Sequence, residues 1–351
     1  MPDRVPLILD VDTGIDDALA LLYACASPEV DLLAVTCVGG NVDARQVAAN
    51  SLAVLELAGR RNVPVLLGRE RPLRKALETS PDTHGPSGLG YAELPRATRP
   101  LERDDAADRI VELARSRPGE VTLVTLGPLT NLAIALEREP SLPGLLRRWV
   151  LMGGAYRGGG NTTPTAEWNV YVDPDAARIA FRAFAGGPNR PLALGLDVTE
   201  RVRFTPEQLR HLAVRAGALP LDAEAAGRQP IEAVGTAAAI PIVRFAVDAL
   251  RFYFEFHARY DGFYGAFVHD PFALAAALDP TLVRSEPVFV DVETGAGPAH
   301  GMTVADWRGL RRQPPNLDVA VEGDAPAFVE RWVERVGSLA ARGAAVAAAG
   351  R

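Results

Sequence analysis

Cysteine is nearly absent: Cys25 and Cys37 are the only two in 351 residues. Both sit among apolar neighbours. That suits small core side chains in a reducing compartment and argues against a disulfide framework. Lysine occurs once, at Lys75. The formal net charge is −7, so nothing suggests the basic surface of a nucleic-acid binder. No apolar run reaches membrane-spanning length. The first apolar run begins at Val5, which leaves no room for a secretory signal, and a cytoplasmic location is expected. No Gly-x-Gly-x-x-Gly follows the first strand and no Walker lysine is present, so neither a dinucleotide fold nor a P-loop is supported. A Gly-x-Ser-x-Gly elbow is also missing.

What is present has ordinary globular proportions, 48% hydrophobic and 23% charged. Apolar strands are expected at 5–11, 31–38, 63–67, 121–126, 149–152 and 192–196. Amphipathic or Ala-rich helices fall between them. This alternation predicts parallel βαβ units. It breaks from Glu70 to Asp104, a Pro-, Arg- and Gly-rich stretch that reads as a loop over the site. Residues 201–260 read as helical but less regular, with a weak Ala/Gly/Pro-rich stretch from Ala216 to Pro241. Late strands are expected at 288–292 and around Val304 and Val319, and a last helix from Ala325 to Leu339. No repeat or linker divides the chain. One domain over 1–339 is expected, with an Ala/Gly-rich tail at 340–351 that frays.

The most informative stretch is Val5 to Leu22. A strand buried on both faces leads into an Ala/Leu-rich helix. The turn between them carries Asp10, Asp12, Asp16 and Asp17. Aspartate is a common turn and cap residue, but four within eight residues exceed what capping requires. Such charges repel unless a cation or protons neutralise some of them. An all-carboxylate set points to a hard cation, Ca²⁺ or Mg²⁺. The carboxyl edge of an open α/β sheet is also where ligands bind. Two familiar patterns fail here. In an EF-hand count from Asp10, Gly14 falls on the fifth position and no Glu stands at the twelfth. A dehalogenase-type phosphatase would place Thr13 one residue later and needs a helical lysine, whereas Lys75 lies in a Pro/Arg-rich segment.

The pattern that fits is Asp-x-Asp-x-Gly-x-Asp-Asp at 10–17. Further along come Met152-Gly153-Gly154, Asn161, Glu167-x-Asn169 and Asp173-Pro174, then His269-Asp270-Pro271. Alone, each has a plain reading as turn, cap or Gly-rich loop. In this order, over roughly residues 5 to 335, they resemble the inosine–uridine-preferring nucleoside hydrolase family. The resemblance implies a single α/β domain with a mostly parallel, Rossmann-like central sheet flanked by helices. It implies hydrolysis of ribonucleosides to base and ribose by a Ca²⁺-bound water that Asp12 activates. Asp12, Asp17, Asp270 and the Leu126 carbonyl would hold the ion. Asp16, Asn41, His84, Met152, Asn161, Glu167 and Asn169 would contact substrate. His269 would face the leaving base, and Asp10 would brace the turn from behind.

Tyr253, His257, Tyr260 and Tyr264 lie in the segment expected to stack on the base, and the sequence does not choose among them. His211, His257 and His300 otherwise read as structural. The spacing from Gly262 to Val268 departs from the family pattern, which bears on the base pocket. The expected partners are a ribonucleoside and copies of the chain itself in a dimer or tetramer, with no nucleic acid and no membrane. Two other readings are a Mg²⁺-dependent phosphohydrolase and a nucleoside- or ribose-binding protein without turnover.

Overall fold

A computed structural model describes residues 4–103, 105–218 and 239–349. Its main sheet is built from β1 (Val5–Val11), β2 (Val30–Cys37), β3 (Val65–Leu67), β4 (Thr122–Thr125), β5 (Arg148–Met152) and β6 (Leu192–Leu194). Two short strands follow, β7 (Arg203–Phe204) and β8 (Ala266–Phe267). Then come β9 (Val283–Val288), β10 (Val290–Val292), β11 (Thr303–Ala305) and β12 (Leu317–Gly323). The eight-stranded sheet runs β3-β2-β1-β4-β5-β6-β12-β9, and only β9 is antiparallel to its neighbour. Strands β7 with β8 and β10 with β11 form separate antiparallel pairs.

The chain runs outward from β1 to β2 and β3, then returns to place β4 on the other side of β1. That reversal opens a crevice at the carboxyl ends of β1 and β4, where open α/β sheets take their ligands. The acid turn that ends β1 lies there.

Strand β1 is buried on both faces. Leu7, Leu9 and Val11 join one apolar cluster and Ile8 the other, as a two-residue period requires. Every residue of the helix Ile15–Ala26 is buried. It packs against the helix Asp270–Leu278, which is buried except at its last residue. Two interior helices thus begin side by side. Their first turns bring Asp16, Asp17 and Asp270 together, and carboxylates at helix N-termini are favoured by the helix dipole.

Several boundaries differ from the sequence expectation. The strand expected at 288–292 is split at Phe289: β9 enters the main sheet and β10 pairs with β11. Strand β6 stops at Leu194, and the short helix Leu196–Thr199 follows. Strands β7 and β8 are two residues each, too short to leave a periodic signal. The loop at 70–104 contains one helical turn, Pro81–His84. The last helix runs Ala325–Ala349, ten residues past Leu339. Alanine is the strongest helix former, so the run continues through the expected tail. Most of the weak stretch at 216–241, residues 219–238, lies outside the described residues. Among the described residues no helix is long and apolar enough to cross a membrane.

Candidate active site

Asp17 organises the acid turn. Its Oδ1 accepts the backbone N–H of Asp12 (3.1 Å) and its Oδ2 that of Gly14 (2.9 Å). The Asn41 side-chain amide donates to the same Oδ2 (3.3 Å). Asp12 is held differently. Its Oδ2 accepts the Asn41 backbone N–H at 2.9 Å, while its Oδ1 is buried with no protein partner. Two glycines make room for it. A Cβ on Gly40 would stand 2.1 Å from Asp12 Oδ2, and one on Gly127 would stand 2.8 Å from Oδ1. Behind the turn, Asp10 Oδ1 accepts from Thr36 Oγ1 (2.5 Å) and Asn131 Nδ2 (2.8 Å). Asp10 therefore ties β1 to β2 and to the helix Thr130–Arg138.

Ligand oxygens of Asp16, Asp17 and Asp270 lie within 4.8 Å of one another. All these acids are buried. Burial, then repulsion from Asp17, pushes the Asp16 carboxyl up to about 8. Burial raises Asp10 to about 7 against the bonds from Asn131 and Thr36. Asp12 and Asp270 are raised well above the usual carboxylate range, first by burial and then by neighbouring aspartates. No lysine or arginine lines the cavity in front of them among the described residues. A buried all-oxygen corner with an unpartnered Asp12 oxygen and no protein cation fits a hard metal ion.

That cavity, about 600 Å³, is lined by ten of the expected residues: Asp16, Asn41, His84, Leu126, Met152, Asn161, Glu167, Asn169, His269 and Asp270. Asp10, Asp12 and Asp17 are buried and are not among the residues that line it. The Leu126 carbonyl accepts the Asn169 side-chain amide at 2.6 Å, which leaves it one lone pair. The same amide reaches the Met152 carbonyl at 3.3 Å. Glu167 caps the helix Trp168–Val172. Its oxygens accept N–H groups from Asn169 (2.9 Å), Val170 (3.1 Å) and Gly154 (2.8 Å). This carboxylate thus anchors the Gly153–Gly154 loop and keeps only part of its capacity for a ligand. Asn161 is exposed, and its Oδ1 accepts the Trp168 N–H at 3.1 Å.

The other end of the cavity is a collar of rings. His84 lies 5.5 Å from Tyr253, Tyr253 lies 4.7 Å from His257, and His257 lies 4.9 Å from Phe267, centroid to centroid. Phe267 is 6.3 Å from His269. Of the four rings the sequence left open, Tyr253, His257 and Tyr260 line the cavity. Tyr264 instead packs edge-on against Phe254. His84 Nδ1 accepts the Ile15 backbone N–H (3.1 Å), so its proton sits on Nε2 and it can donate a hydrogen bond. His257 Nδ1 pairs with Asp261 Oδ2 at 2.7 Å. Burial pushes His84 and His269 down to about 3, and the other imidazoles add to the effect.

Sequence reasoning missed Thr199, Glu200, Asp261 and Phe267 as parts of this region. Phe267 carries the weak strand β8. The pairing of His257 with Asp261, four apart on one helix face, was the one signal available.

A model of the inosine-uridine preferring nucleoside hydrolase family matches residues 7–330. The chain belongs to that family. This nucleoside hydrolase is 36% identical over 340 residues to the pyrimidine-specific ribonucleoside hydrolase RihA of Enterobacter sp. (strain 638), covering 96% of this chain and 99% of the relative. It is 35% identical over 333 residues to RihA of Escherichia coli (strain K12), covering 95% and 98%. Among solved structures it superimposes on a purine-preferring ribonucleoside hydrolase from Gardnerella vaginalis with a TM-score of 0.84 and 32% identity, covering 96% and 99%. It also superimposes on the plant nucleoside hydrolase PpNRh1 with a TM-score of 0.81 and 31% identity, covering 95% and 99%. As a member of this family the enzyme hydrolyses ribonucleosides to free base and ribose. The phosphohydrolase and non-catalytic readings are thereby set aside. The cavity wall agrees, since it offers a phosphate no lysine or arginine among the described residues.

Proposed function

We propose that the acid corner holds Ca²⁺ and that the reaction divides between two ends of the cavity. The observation that carries this reading is Asp12 Oδ1, buried and unpartnered beside the Asp16–Asp17–Asp270 group. Asp12, Asp17, Asp270 and the Leu126 carbonyl would hold the ion. An oxygen-only set that includes a backbone carbonyl suits Ca²⁺. When bound, such an ion orients the ribose diol and lowers the pKa of water.

The chain's own groups do the rest. Asp12 takes the proton of the attacking water, with its carboxylate fixed by the Asn41 N–H and walled by Gly40 and Gly127. Asp16 and Asn41 accept and donate at the ribose hydroxyls. Asn161, Glu167 and Asn169 bind the far side of the sugar, and Met152 packs beneath it. Positive charge builds on the ribose as the N-glycosidic bond breaks, and the surrounding carboxylates and amide oxygens stabilise it in place. His84 offers its Nε2–H to the substrate. His269 gives a proton to the base as negative charge builds there. Asp10 braces the turn. The relatives are variously pyrimidine-specific and purine-preferring, so base preference is assigned to the ring collar and not to the acid corner. A cytoplasmic dimer or tetramer completes the reading, and light scattering measures its assembly.

The test is metal content. Elemental analysis should find about one Ca²⁺ per chain, the number this single ligand set can hold. Chelation should abolish activity, and Ca²⁺ should restore it. Full activity in protein shown to be metal-free would overturn the reading.

A further inference from the structure

We propose that Glu200 is a specificity-determining residue: its carboxylate accepts an N–H from the polar edge of the base and so selects bases that offer a donor there. This rests on the reading that the base lies among the rings.

Glu200 follows the short helix Leu196–Thr199 and stands half-buried on the cavity wall. Its backbone is fixed, because its N–H donates to the Leu196 carbonyl at 3.1 Å. Thr199, the residue before it, has Oγ1 2.8 Å from His269 Nδ1. Of the charges that act on Glu200, Asp261 is the strongest, and Asp261 is the partner of His257 in the collar. Glu200 therefore belongs to the ring end of the cavity.

The charged groups around it are held by other partners. Asp261 Oδ2 lies 2.7 Å from His257 Nδ1. Asp197 accepts the N–H groups of Tyr156 (2.8 Å), Arg157 (2.8 Å) and Gly158 (2.9 Å). The Arg203 guanidinium lies over Phe263 and Phe267, 4.9 and 5.5 Å from their centroids. The Glu200 carboxylate itself makes no hydrogen bond or salt bridge among the described residues. Burial pushes this carboxyl up, Asp261 and Asp197 add to the effect, and Arg203 opposes it. A half-buried carboxylate among like charges, with no donor of its own, gains from a ligand N–H what the fold does not supply. Asp82, on the same wall, is exposed and keeps its water.

Bases differ in what they offer such a group. Cytosine presents a 4-amino group, and hypoxanthine an N1–H, on the edge away from the glycosidic bond. Pyrimidin-2-one and unsubstituted purine keep the same ring frames but carry only ring lone pairs there. A carboxylate accepts from the first two and faces lone pairs on the others. Within either class of base, Glu200 thus ranks substrates by their donors.

Steady-state kinetics of the metal-loaded enzyme test this at about pH 8, above the ordinary glutamate value. The readout is the ratio of kcat/KM for cytidine over pyrimidin-2-one riboside, and for inosine over purine riboside. Each ratio is taken within one preparation, so the fraction of folded enzyme cancels. Glu200→Ala should reduce each ratio that the wild type's base preference makes measurable by about 10- to 100-fold, the range for a hydrogen bond to a charged group. Glu200→Gln keeps an acceptor oxygen and should reduce it less. Ratios unchanged by Glu200→Ala, whatever the absolute rates, would overturn the proposal. Phe267→Ala, which removes a ring of the collar, separates the two levels. If it shifts the balance between inosine and uridine while Glu200→Ala leaves the donor ratios alone, only the Glu200 proposal fails. If neither variant changes any preference among bases, the reading of the collar as the base site fails with it.

Discussion

The two ends of the cavity are made in different ways. The acid corner comes largely from one eight-residue turn, closed by the Asp270 N-terminus of a neighbouring buried helix. Its carboxylates are fixed by backbone N–H groups, and Gly40 and Gly127 leave room for Asp12 on two sides. The ring collar draws on separate segments: the Pro81–His84 turn, the helix Pro241–Tyr260, and the β8 region that leads to His269. It is held by side-chain packing and by hydrogen bonds such as His257 to Asp261. Little can change in the corner without breaking the turn. Relatives are named for different bases, and on the proposed reading the chemistry common to all ribonucleosides belongs to the corner.

The sharpest way to break this comparison is Asp12→Asn. On the proposed reading it removes the proton acceptor and a negative charge together. Hydrolysis of inosine, uridine and p-nitrophenyl riboside should all fall by at least about 10⁴-fold, the upper range for losing a general base. A variant that spared any one substrate would show that the corner is not the common element.

His269→Ala should behave in the opposite way. Natural nucleosides should lose about 10²- to 10⁴-fold in kcat, the range for losing a general acid. The nitrophenyl riboside should lose little. A parallel loss accompanied by a lower melting temperature would make His269 a support for the helix Asp270–Leu278 instead.

Ribose recognition at the corner predicts discrimination against missing hydroxyls. Hydrolysis of 2′-deoxyuridine should have a kcat/KM at least about 10²-fold below that of uridine, because buried polar partners would be left unpaired. Equal turnover would remove the 2′-hydroxyl from the account.

The smallest expected effect is thermal. Folding raises Asp16 to about 8 and Asp10 to about 7, so the folded chain binds more protons than the unfolded one. Stability from these groups is complete below the ordinary carboxylate pKa and is lost as pH rises through the folded values. Chelated protein should therefore melt lower at about pH 8 than at about pH 6.5, and Ca²⁺ should close most of the gap at the higher pH. A melting temperature that rises with pH in the chelated protein would contradict the sign. The collar histidines run the other way: burial lowers His84 and His269 to about 3, so their contribution rises with pH up to the unfolded imidazole value of about 6.5 and is flat above it.

The legibility of the site follows the same division. Asp10, Asp12, Asp16 and Asp17 stand out in the sequence because four acids in one turn after an apolar strand exceed what capping requires. His269-Asp270-Pro271 was legible as a helix start with an acid. Thr199 was not. It stands in an unremarkable Leu-Asp-Val-Thr segment, and it meets His269, seventy residues away, only because β6 ends where the β8 region returns. Among the candidate rings, the sequence could not separate Tyr253 and His257 from Tyr264, since choosing between faces and loops at a helix end requires knowing what packs there.

What the sequence determined by itself was the parallel alternation, the acid turn and the order of the motifs. Each depends on residues close in the chain, where spacing translates directly into geometry. Tertiary structure decided which lone pairs remain open. Glu167 is largely consumed by three backbone amides, Asp12 keeps one oxygen without a partner, and His84 Nδ1 is taken by the Ile15 N–H. The physical reason is that a hydrogen bond is assigned by whatever partner folding brings within about 3 Å, and those partners come from distant segments.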